Sequence, residues 1–243
     1  MRIFISKTED YYDQPLSAYP ATIRAAFRVV AAVLYAFSKL MWRWRFDGAS
    51  KLVPAPGTRT GSVVICNHTS MAEVVVIFSY WRLSGRPLRL IMKSEFNRNP
   101  LVRWAFARAG AIPVDRGTAD LKAVRRAQRA LQRGEDVFVF PEGTRVRSDD
   151  QPVTVHGGFA LMASMGKADI VPMAVCGFRD VTPAGKRLMR PVTCWLRAGD
   201  RVGASHAPDG LKRSERVEWV EREAVRRMYA VRDSLRSEHP GRY

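Results

Sequence analysis

A short apolar run early in the chain most constrains the fold that this sequence can adopt. Val63, Val64 and Ile65 are consecutive β-branched residues with no polar position between them. A strand that is buried on both faces has this pattern, because its side chains point alternately into two apolar layers. The run therefore predicts a central strand in a sheet that is covered on both sides.

Similar apolar runs recur along the chain and alternate with segments of helical periodicity. They predict further strands at residues 88–92, 112–114, 137–140, 170–175 and 192–196. Helices are predicted between them, including one capped by Thr118 and a long one over residues 211–238. This alternation indicates an α/β fold with a single mixed, mostly parallel sheet flanked by helices. We expect an N-terminal segment over residues 1–60 and an α/β domain over residues 61–243.

The N-terminal segment contains an apolar stretch, residues 21–46, with cations at both ends and two tryptophans near its close. Its charge-free part, 29–38, is ten residues long, whereas a helix that spans a bilayer needs about 20. One interpretation is a helix in the membrane interface, with its cations on anionic headgroups. The other is a first helix packed on the core. The stretch itself favours neither, and residues 47–60 after it are predicted to form a loop.

The charge of the chain predicts a negatively charged partner. Forty Lys and Arg residues stand against 23 Asp and Glu, a net charge of +17. Residues 81–133 hold 13 of these cations and three acids. Nucleic acid, an anionic membrane surface and a phosphorylated substrate all fit such a charge. The sequence contains no recognised nucleic-acid-binding motif, which argues against the first of these.

The helix predicted after Thr118 carries a basic outer face. Five cations lie on it, at Lys122, Arg125, Arg126, Arg129 and Arg133.

The three cysteines are far apart and embedded in apolar runs. Their spacing matches neither a disulfide framework nor a metal site, so a reducing compartment fits the chain.

Polar side chains follow the central strand. Asn67, His68, Thr69 and Ser70 come directly after it, and Glu73 lies in the next apolar run. In α/β sheets, chemistry gathers at the carboxyl ends of strands. If Ser70 caps a helix, Glu73 falls in its first turn, and the preceding loop can bring His68 to the carboxylate as a general base with an orienting partner. The same residues also suit an ordinary turn and helix start, so this pattern alone leaves both interpretations open.

Three more polar stretches follow predicted strands, and with residues 67–73 they form a recognisable set. They are Lys-Ser-Glu at 93–95, Gly-Ala-Ile-Pro-Val-Asp-Arg at 110–116, and Pro-Glu-Gly-Thr-Arg at 141–145, which Phe140 precedes. In this order, and with Ile-Val-Pro-Met-Ala-Val at 170–175, they resemble the glycerolipid acyltransferase family. The likeness is specifically to its lysophosphatidate (1-acylglycerol-3-phosphate) acyltransferases, and it covers roughly residues 60–180.

The resemblance implies an enzyme of phospholipid biosynthesis. It would transfer a fatty acyl group from acyl-CoA or acyl carrier protein to the free hydroxyl of lysophosphatidate, giving phosphatidate. His68 would be the general base, and Glu73 would orient it. The implied substrate-binding residues are Lys93, Arg116, Glu142, Gly143, Thr144 and Arg145. No cofactor or metal is implied beyond the thioester co-substrate, and the expected location is the cytoplasmic face of the cell membrane, as a peripheral or monotopic protein.

Two departures from the family pattern keep other functions open. The family has an aspartate where this chain has Glu73, and a Phe-Lys-x-Gly element where this chain has Val-His-Gly-Gly at 155–158. One alternative is therefore an acyltransferase for another lysophospholipid or a lyso-aminolipid. Another is a catalytically weak basic protein that binds anionic lipid or nucleic acid. The acyl chain length and the choice between the two thioester donors are open as well.

Overall fold

The protein was analysed as a computed structural model, which describes residues 7–115, 120–183, 185–186 and 188–242. Among these residues, seven strands form one sheet in the order β1-β7-β6-β2-β5-β3-β4. The strands are β1 (Arg45–Asp47), β2 (Val63–Cys66), β3 (Leu88–Lys93), β4 (Ile112–Val114), β5 (Asp136–Val139), β6 (Ile170–Cys176) and β7 (Trp195–Ala198). All neighbours are parallel except β6 and β7, which are antiparallel. The predicted mixed, mostly parallel sheet is confirmed.

Helices cover both faces of this sheet. The α-helices of the described chain are α1 (Thr8–Asp13), α2 (Ala21–Trp42), α3 (Met71–Leu83), α4 (Pro100–Ala109), α5 (Leu121–Gln132), α6 (Gly158–Gly166) and α7 (Arg213–Glu238). One core layer combines α2 and α3 with the sheet and includes Trp42, Trp81 and Phe138. The other core layer combines α5, α6 and α7 with the opposite face.

The central strand lies where its sequence predicts. β2 sits between β5 and β6, and all four of its residues are buried. Val64 and Cys66 enter the core layer of α2 and α3, whereas Val63 and Ile65 enter that of α5, α6 and α7. The uninterrupted apolar run is thus explained by a strand with a core on each side.

The sheet begins earlier than the sequence indicates. The predicted stretch 21–46 divides at Arg43, which has a left-handed backbone (φ 37°) and ends α2. Residues 45–47 then form an edge strand that pairs in parallel with β7, so part of the segment before residue 61 belongs to the sheet. The strand has only three residues, of which two are exposed and one is half-buried. So short a pattern does not predict a strand from sequence. The strand predicted at 192–196 lies slightly later, at 195–198.

The basic face of α5 differs from its prediction at one position, Arg126. Thr118, the predicted cap, lies outside the described residues, and the cap in the structure is Asp120, which accepts a hydrogen bond from Ala123 N at 2.9 Å. Arg126 does not face solvent. Its guanidinium is buried against the acids of α1, at 2.9 Å from Glu9 and 3.0 Å from Asp13. The N-terminal acids therefore neutralise part of the basic surface.

Candidate active site

Asn67 determines where the chain leaves the sheet. Its buried side-chain amide accepts a hydrogen bond from Val175 N at 2.8 Å and donates one to Val175 O at 3.2 Å. These two bonds continue the ladder between β2 and β6 one residue past the end of β2. A buried amide needs such partners. The sequence places Asn67 among the polar residues that follow the central strand, and no local pattern indicates its partner 108 positions away.

Ser70 starts the helix that carries Glu73, as predicted. Its backbone is extended (φ −149°, ψ 156°), and its hydroxyl accepts a hydrogen bond from Ala72 N at 3.2 Å. A serine in this conformation caps a helix by satisfying one of the free N–H groups of the first turn. Glu73 consequently lies in the first turn of α3, with its side chain directed back towards the loop that precedes the helix.

His68 and Glu73 are in direct contact. The imidazole Nδ1 is hydrogen-bonded to Glu73 Oε1. The carboxylate is fully buried and has further donors in Thr69 N at 2.8 Å and the Thr69 hydroxyl at 3.0 Å. With its proton on Nδ1, the imidazole presents a lone pair at Nε2. Nε2 has no hydrogen-bond partner among the described residues, and the side chain is 13% exposed. This arrangement suits a general base.

Phe140 holds the plane of the imidazole. The two rings stack with their centroids 4.0 Å apart and an angle of 19° between their planes. Phe140 follows β5, the parallel neighbour of β2, so its side chain reaches the site from the adjacent strand end. Stacking restricts rotation of the His68 ring about an axis that the Glu73 hydrogen bond alone leaves free.

Glu142 supports the loop that carries His68. Its side chain is buried, with Oε2 accepting a hydrogen bond from His68 N at 2.7 Å and Oε1 accepting one from the Tyr229 hydroxyl at 3.1 Å. In return, His68 O accepts a hydrogen bond from Val146 N at 2.7 Å. Burial raises the pKa of the Glu142 carboxyl, and the hydrogen bonds only partly oppose this. Both carboxylate oxygens are thus engaged with protein groups, whereas the sequence predicts a substrate-binding role.

The turn at Gly143 uses its own backbone donors. Gly143 has a positive φ of 64°, and its N–H donates to Phe140 O at 3.0 Å. The N–H of Thr144 donates to Glu142 O at 2.7 Å. The tight turn therefore engages both N–H groups, so in this conformation neither is free to donate to a phosphate or an oxyanion.

The cations predicted at the site differ in their availability. Lys93, at the end of β3, lies 2.8 Å from Glu95 Oε1. Arg145 is half-buried, and its guanidinium has no ion-pair partner in the part of the chain that the structure describes. Its loop adjoins the base, since Val146 bonds to His68. Arg116 lies outside the described residues.

The strands bring these groups to one edge. β2, β3 and β5 are mutually parallel in the sheet, so His68, Lys93 and the turn at 141–145 all follow carboxyl ends on the same side. Ligands of open α/β sheets bind at this edge. Fold and site together define an α/β protein with a histidine–carboxylate pair, and with an arginine on an adjoining loop, at the sheet edge where ligands bind.

Comparison with known proteins identifies the family. The model of the acyltransferase family matches residues 47–176, and this chain belongs to that family. The matched range starts in β1 and ends with β6, so it includes the His68–Glu73 pair and the 141–145 turn. The family predicted from the four polar stretches is confirmed.

Curated relatives share between a quarter and a third of the aligned residues. A chloroplastic 1-acyl-sn-glycerol-3-phosphate acyltransferase of Arabidopsis thaliana is 27% identical over 154 residues, which are 63% of this chain and 40% of that protein. The enzyme of that name from Bacillus subtilis is 29% identical over 131 residues, 54% of this chain and 61% of the relative. A lyso-ornithine lipid O-acyltransferase of Pseudomonas aeruginosa is 30% identical over 122 residues, 49% and 44% of the two chains. The chain spans about half the length of these relatives.

A solved structure has the same fold. The 1-acyl-sn-glycerophosphate (LPA) acyltransferase PlsC from Thermotoga maritima superposes with a TM-score of 0.59 and 21% sequence identity. The match covers 85% of this chain and 82% of that one. At this level of identity, the similarity concerns the fold.

Proposed function

We propose that this protein transfers a fatty acyl group from an acyl thioester to the free hydroxyl of lysophosphatidate, forming phosphatidate. The observation that carries the proposal is the His68 imidazole, whose Nδ1 is bound to the buried Glu73 while Nε2 has no described partner. Family membership and the names of the relatives support the reaction class. Acyl-CoA and acyl carrier protein are both suitable donors, and neither a metal nor a resident cofactor takes part in the proposed reaction.

In the proposed mechanism, the imidazole moves one proton twice. Nε2 removes the proton of the acceptor hydroxyl while the hydroxyl oxygen attacks the carbonyl carbon of the thioester. The C–S bond then breaks, and the leaving thiolate takes the proton back from the imidazolium, so no acyl-enzyme forms. Glu73 keeps the proton on Nδ1 and stabilises the transient imidazolium. A positioned base of this kind supplies about 10²–10⁴ in rate.

Glu73 is compatible with this role although the family pattern has an aspartate. Its longer side chain reaches the imidazole from the first turn of α3 and also accepts two hydrogen bonds from Thr69. Three donors on a buried carboxylate hold it in one orientation. We infer that the glutamate orients His68 as the shorter acid would.

Recognition of the acceptor phosphate rests on cations near the base. Arg145 is the principal candidate among the described residues, because its guanidinium has no ion-pair partner there, whereas Lys93 is paired with Glu95. A guanidinium binds phosphate through two parallel hydrogen bonds. Arg116 completes the proposed set, with Gly143 and Thr144 shaping the turn that presents Arg145. Glu142 acts in this proposal by positioning His68.

The proposed location is the membrane that holds the substrate. α2 is long and apolar enough to cross a bilayer by length and composition alone, and only 11% of its most apolar window is buried. Exposed apolar side chains on this helix and membrane-lipid enzymes among the relatives favour membrane association. We propose a peripheral or monotopic attachment at the cytoplasmic face.

A second acceptor deserves a place in the test, because a lyso-ornithine lipid acyltransferase is among the similar proteins. Thiol release from one acyl-CoA, measured with lysophosphatidate, other lysophospholipids and lyso-ornithine lipid, ranks the acceptors. We expect release only with acceptor present, the highest kcat/KM for lysophosphatidate, and loss of release in His68→Ala. Release that persists in His68→Ala contradicts the assigned base, and a preference for lyso-ornithine lipid contradicts the assigned acceptor.

The third candidate function is nucleic-acid binding by a basic protein, and the same purified protein tests it. Binding to nucleic acid through net charge alone weakens steeply with salt. Sequence-preferring binding that survives high salt, together with no thiol release for any acceptor, would favour that class.

Glu73→Asp, assayed beside the wild type, tests whether the family's usual acid raises or lowers the rate of thiol release.

A further inference from the structure

Arg82 is a half-buried cation whose guanidinium has no anionic partner within the described residues. It lies in the last turn of α3, and its Nε and Nη2 atoms are buried with no hydrogen-bond partner within the described residues. A buried charge is costly unless an opposite charge or hydrogen-bond acceptors compensate it. Burial lowers the pKa of this guanidinium, and Tyr19 opposes that effect in part. The neighbouring cations Arg24 and Arg89 each lower the pKa further by a smaller amount.

Of these two neighbouring cations, Arg89 has an anionic partner and Arg24 has none among the described residues. Arg89 lies 2.8 Å from Glu135 and also donates to Tyr11 O and the Tyr19 hydroxyl. Arg24 lies in the first turns of α2, is exposed, and has no ion-pair partner in the described chain. Arg24 and Arg82 are therefore two neighbouring cations, and neither has an anionic partner within the described residues.

Packing of α2 on α3 brings this pair together. Phe27 and Phe78 meet edge to face with ring centroids 6.5 Å apart. Arg24 lies one turn before Phe27, and Arg82 lies one turn after Phe78, so each shares a helix face with the contacting ring. The N-terminus of α2 lies beside them, and its cap, Pro20, provides no side-chain acceptor for the first-turn N–H groups.

The outer side of α2 is apolar and exposed. Val29, Val33, Phe37 and Leu40 are 64%, 63%, 44% and 79% exposed. Their spacing places them along one stripe. The buried positions Ala31, Ser38 and Trp42 lie on the other side of the helix, against α3 and the sheet. The stripe begins about one turn after Arg24 and lies on the other side of the helix from it. An apolar stripe on a helix with cations near its start matches the bilayer interface, where acyl chains adjoin phosphates.

We propose that Arg82 and Arg24, with the first turn of α2, bind the headgroup phosphate of an anionic phospholipid that is not the reacting substrate. The site is separate from the catalytic centre. Arg82 lies nine positions after Glu73 on α3, about 13 Å along the helix axis at 1.5 Å per residue. A phosphate there neutralises the two cations and anchors α2 with its apolar stripe in the membrane.

The test measures binding of the intact chain to vesicles, with a matched charge control. Arg82→Gln and Arg125→Gln remove one cation each. Arg125 is exposed on α5, which packs on the opposite face of the sheet from α2. Vesicles contain phosphatidylcholine alone or with phosphatidylglycerol, and partitioning is measured by co-sedimentation. Circular dichroism and melting temperature establish that each variant is folded.

We expect Arg82→Gln to lower partitioning into the anionic vesicles by about tenfold or more, because bidentate charge-assisted hydrogen bonds are lost. Arg125→Gln should lower the partitioning by less than about threefold. Loss of one charge close to the membrane accounts for about fivefold at most, and Arg125 lies on the opposite face of the sheet from α2. Arg82→Lys, which keeps the charge but not the fork, should fall between Arg82→Gln and the wild type. Binding to pure phosphatidylcholine should be equal for all four proteins.

Three results overturn the proposal. The first is an equal loss in Arg82→Gln and Arg125→Gln, which reduces the effect to net charge. The second is full binding by Arg82→Lys. The third concerns the source of the phosphate: if inorganic phosphate or glycerol phosphate raises the melting temperature of the wild type but not of Arg82→Gln, while vesicle binding is unchanged, the site takes a soluble phosphate and not a lipid. Because these readouts do not depend on turnover, they are independent of the proposed acyl transfer.

Discussion

Replacing Glu73 by glutamine tests the histidine–carboxylate pair most directly. The amide has the same shape, so its oxygen can accept from His68 Nδ1 and Thr69 N, while its NH₂ group can donate to the Thr69 hydroxyl. The change removes only the negative charge beside the imidazole. Because a fully buried carboxylate becomes neutral, we expect the free energy of unfolding to fall by no more than about 1 kcal/mol.

The expected loss of activity follows from the charge. Two unit charges about 4 Å apart at an effective dielectric constant near 20 attract by about 4 kcal/mol. If the transition state carries half of the imidazolium charge, about 2 kcal/mol is lost, which is roughly thirtyfold in rate. Full development of the charge sets an upper limit of roughly a thousandfold. The effect should appear in kcat, with the KM for the acceptor nearly unchanged, because the carboxylate does not touch substrate in the proposed mechanism.

Initial rates of thiol release from acyl-CoA over a series of acceptor concentrations provide kcat and KM. The matched control is Glu238→Gln, which removes one ion-paired carboxylate near the end of α7, opposite Arg197 on β7. That variant should keep its rate within about twofold, since exposed pairs contribute little. A Glu73→Gln enzyme with kcat within about threefold of the wild type, beside an inactive His68→Ala, would refute the idea that the carboxylate assists the base.

Three further predictions follow from the same contacts. Arg145→Gln should raise the KM for lysophosphatidate by about 10–100-fold with a smaller change in kcat, and Lys93→Gln should raise it less, because Lys93 is paired with Glu95; steady-state kinetics decide this. Burial raises the pKa of the Glu142 carboxyl above its ordinary value of 4.5, so the wild type loses stability as this group ionises in the folded protein. The stability of Glu142→Gln relative to the wild type should therefore increase as pH rises through the window just above 4.5, as measured by denaturation at several pH values. Although burial opposes it, hydrogen bonds and charge from Arg126 and Arg129 lower the pKa of Asp13, so Asp13→Asn should lower the unfolding free energy by about 0.5–1 kcal/mol at pH 7, a difference that disappears as pH falls below about 4.

Much of the local structure was predictable from residues close together in the chain. The apolar run at 63–65 predicts a doubly buried strand, and Ser70 predicts the helix start that puts Glu73 in the first turn. Asn99, followed by Pro100, predicts the start of α4, and Gly110 predicts its end. Each signal acts over four residues or fewer, through side-chain alternation, a cap or a positive φ. Such rules predict the elements, their order and the polar strand ends where chemistry gathers.

Tertiary structure alone decided how the base is held. His68 is stacked on Phe140, and Glu142 joins its backbone to Tyr229, a residue 87 positions further along on α7. The identity of Glu142 predicts a charged group at the site, but only its burial and these partners reveal a supporting role. The same distinction separates Arg126, which is buried against the acids of α1, from Arg125 beside it, which is exposed.

The physical reason is the range of the interactions. Hydrophobic periodicity and capping depend on near neighbours, so the sequence by itself determined the α/β class and the sheet edge. It made a contact between His68 and Glu73 possible, and the folded structure decided it. Whether a polar side chain is free to bind substrate depends on which distant groups bury and satisfy it. That dependence left Glu142 and Lys93 undecided until the chain was folded, and the fold pairs both with protein groups. The fold also leaves two buried nitrogens of Arg82 without a partner among the described residues.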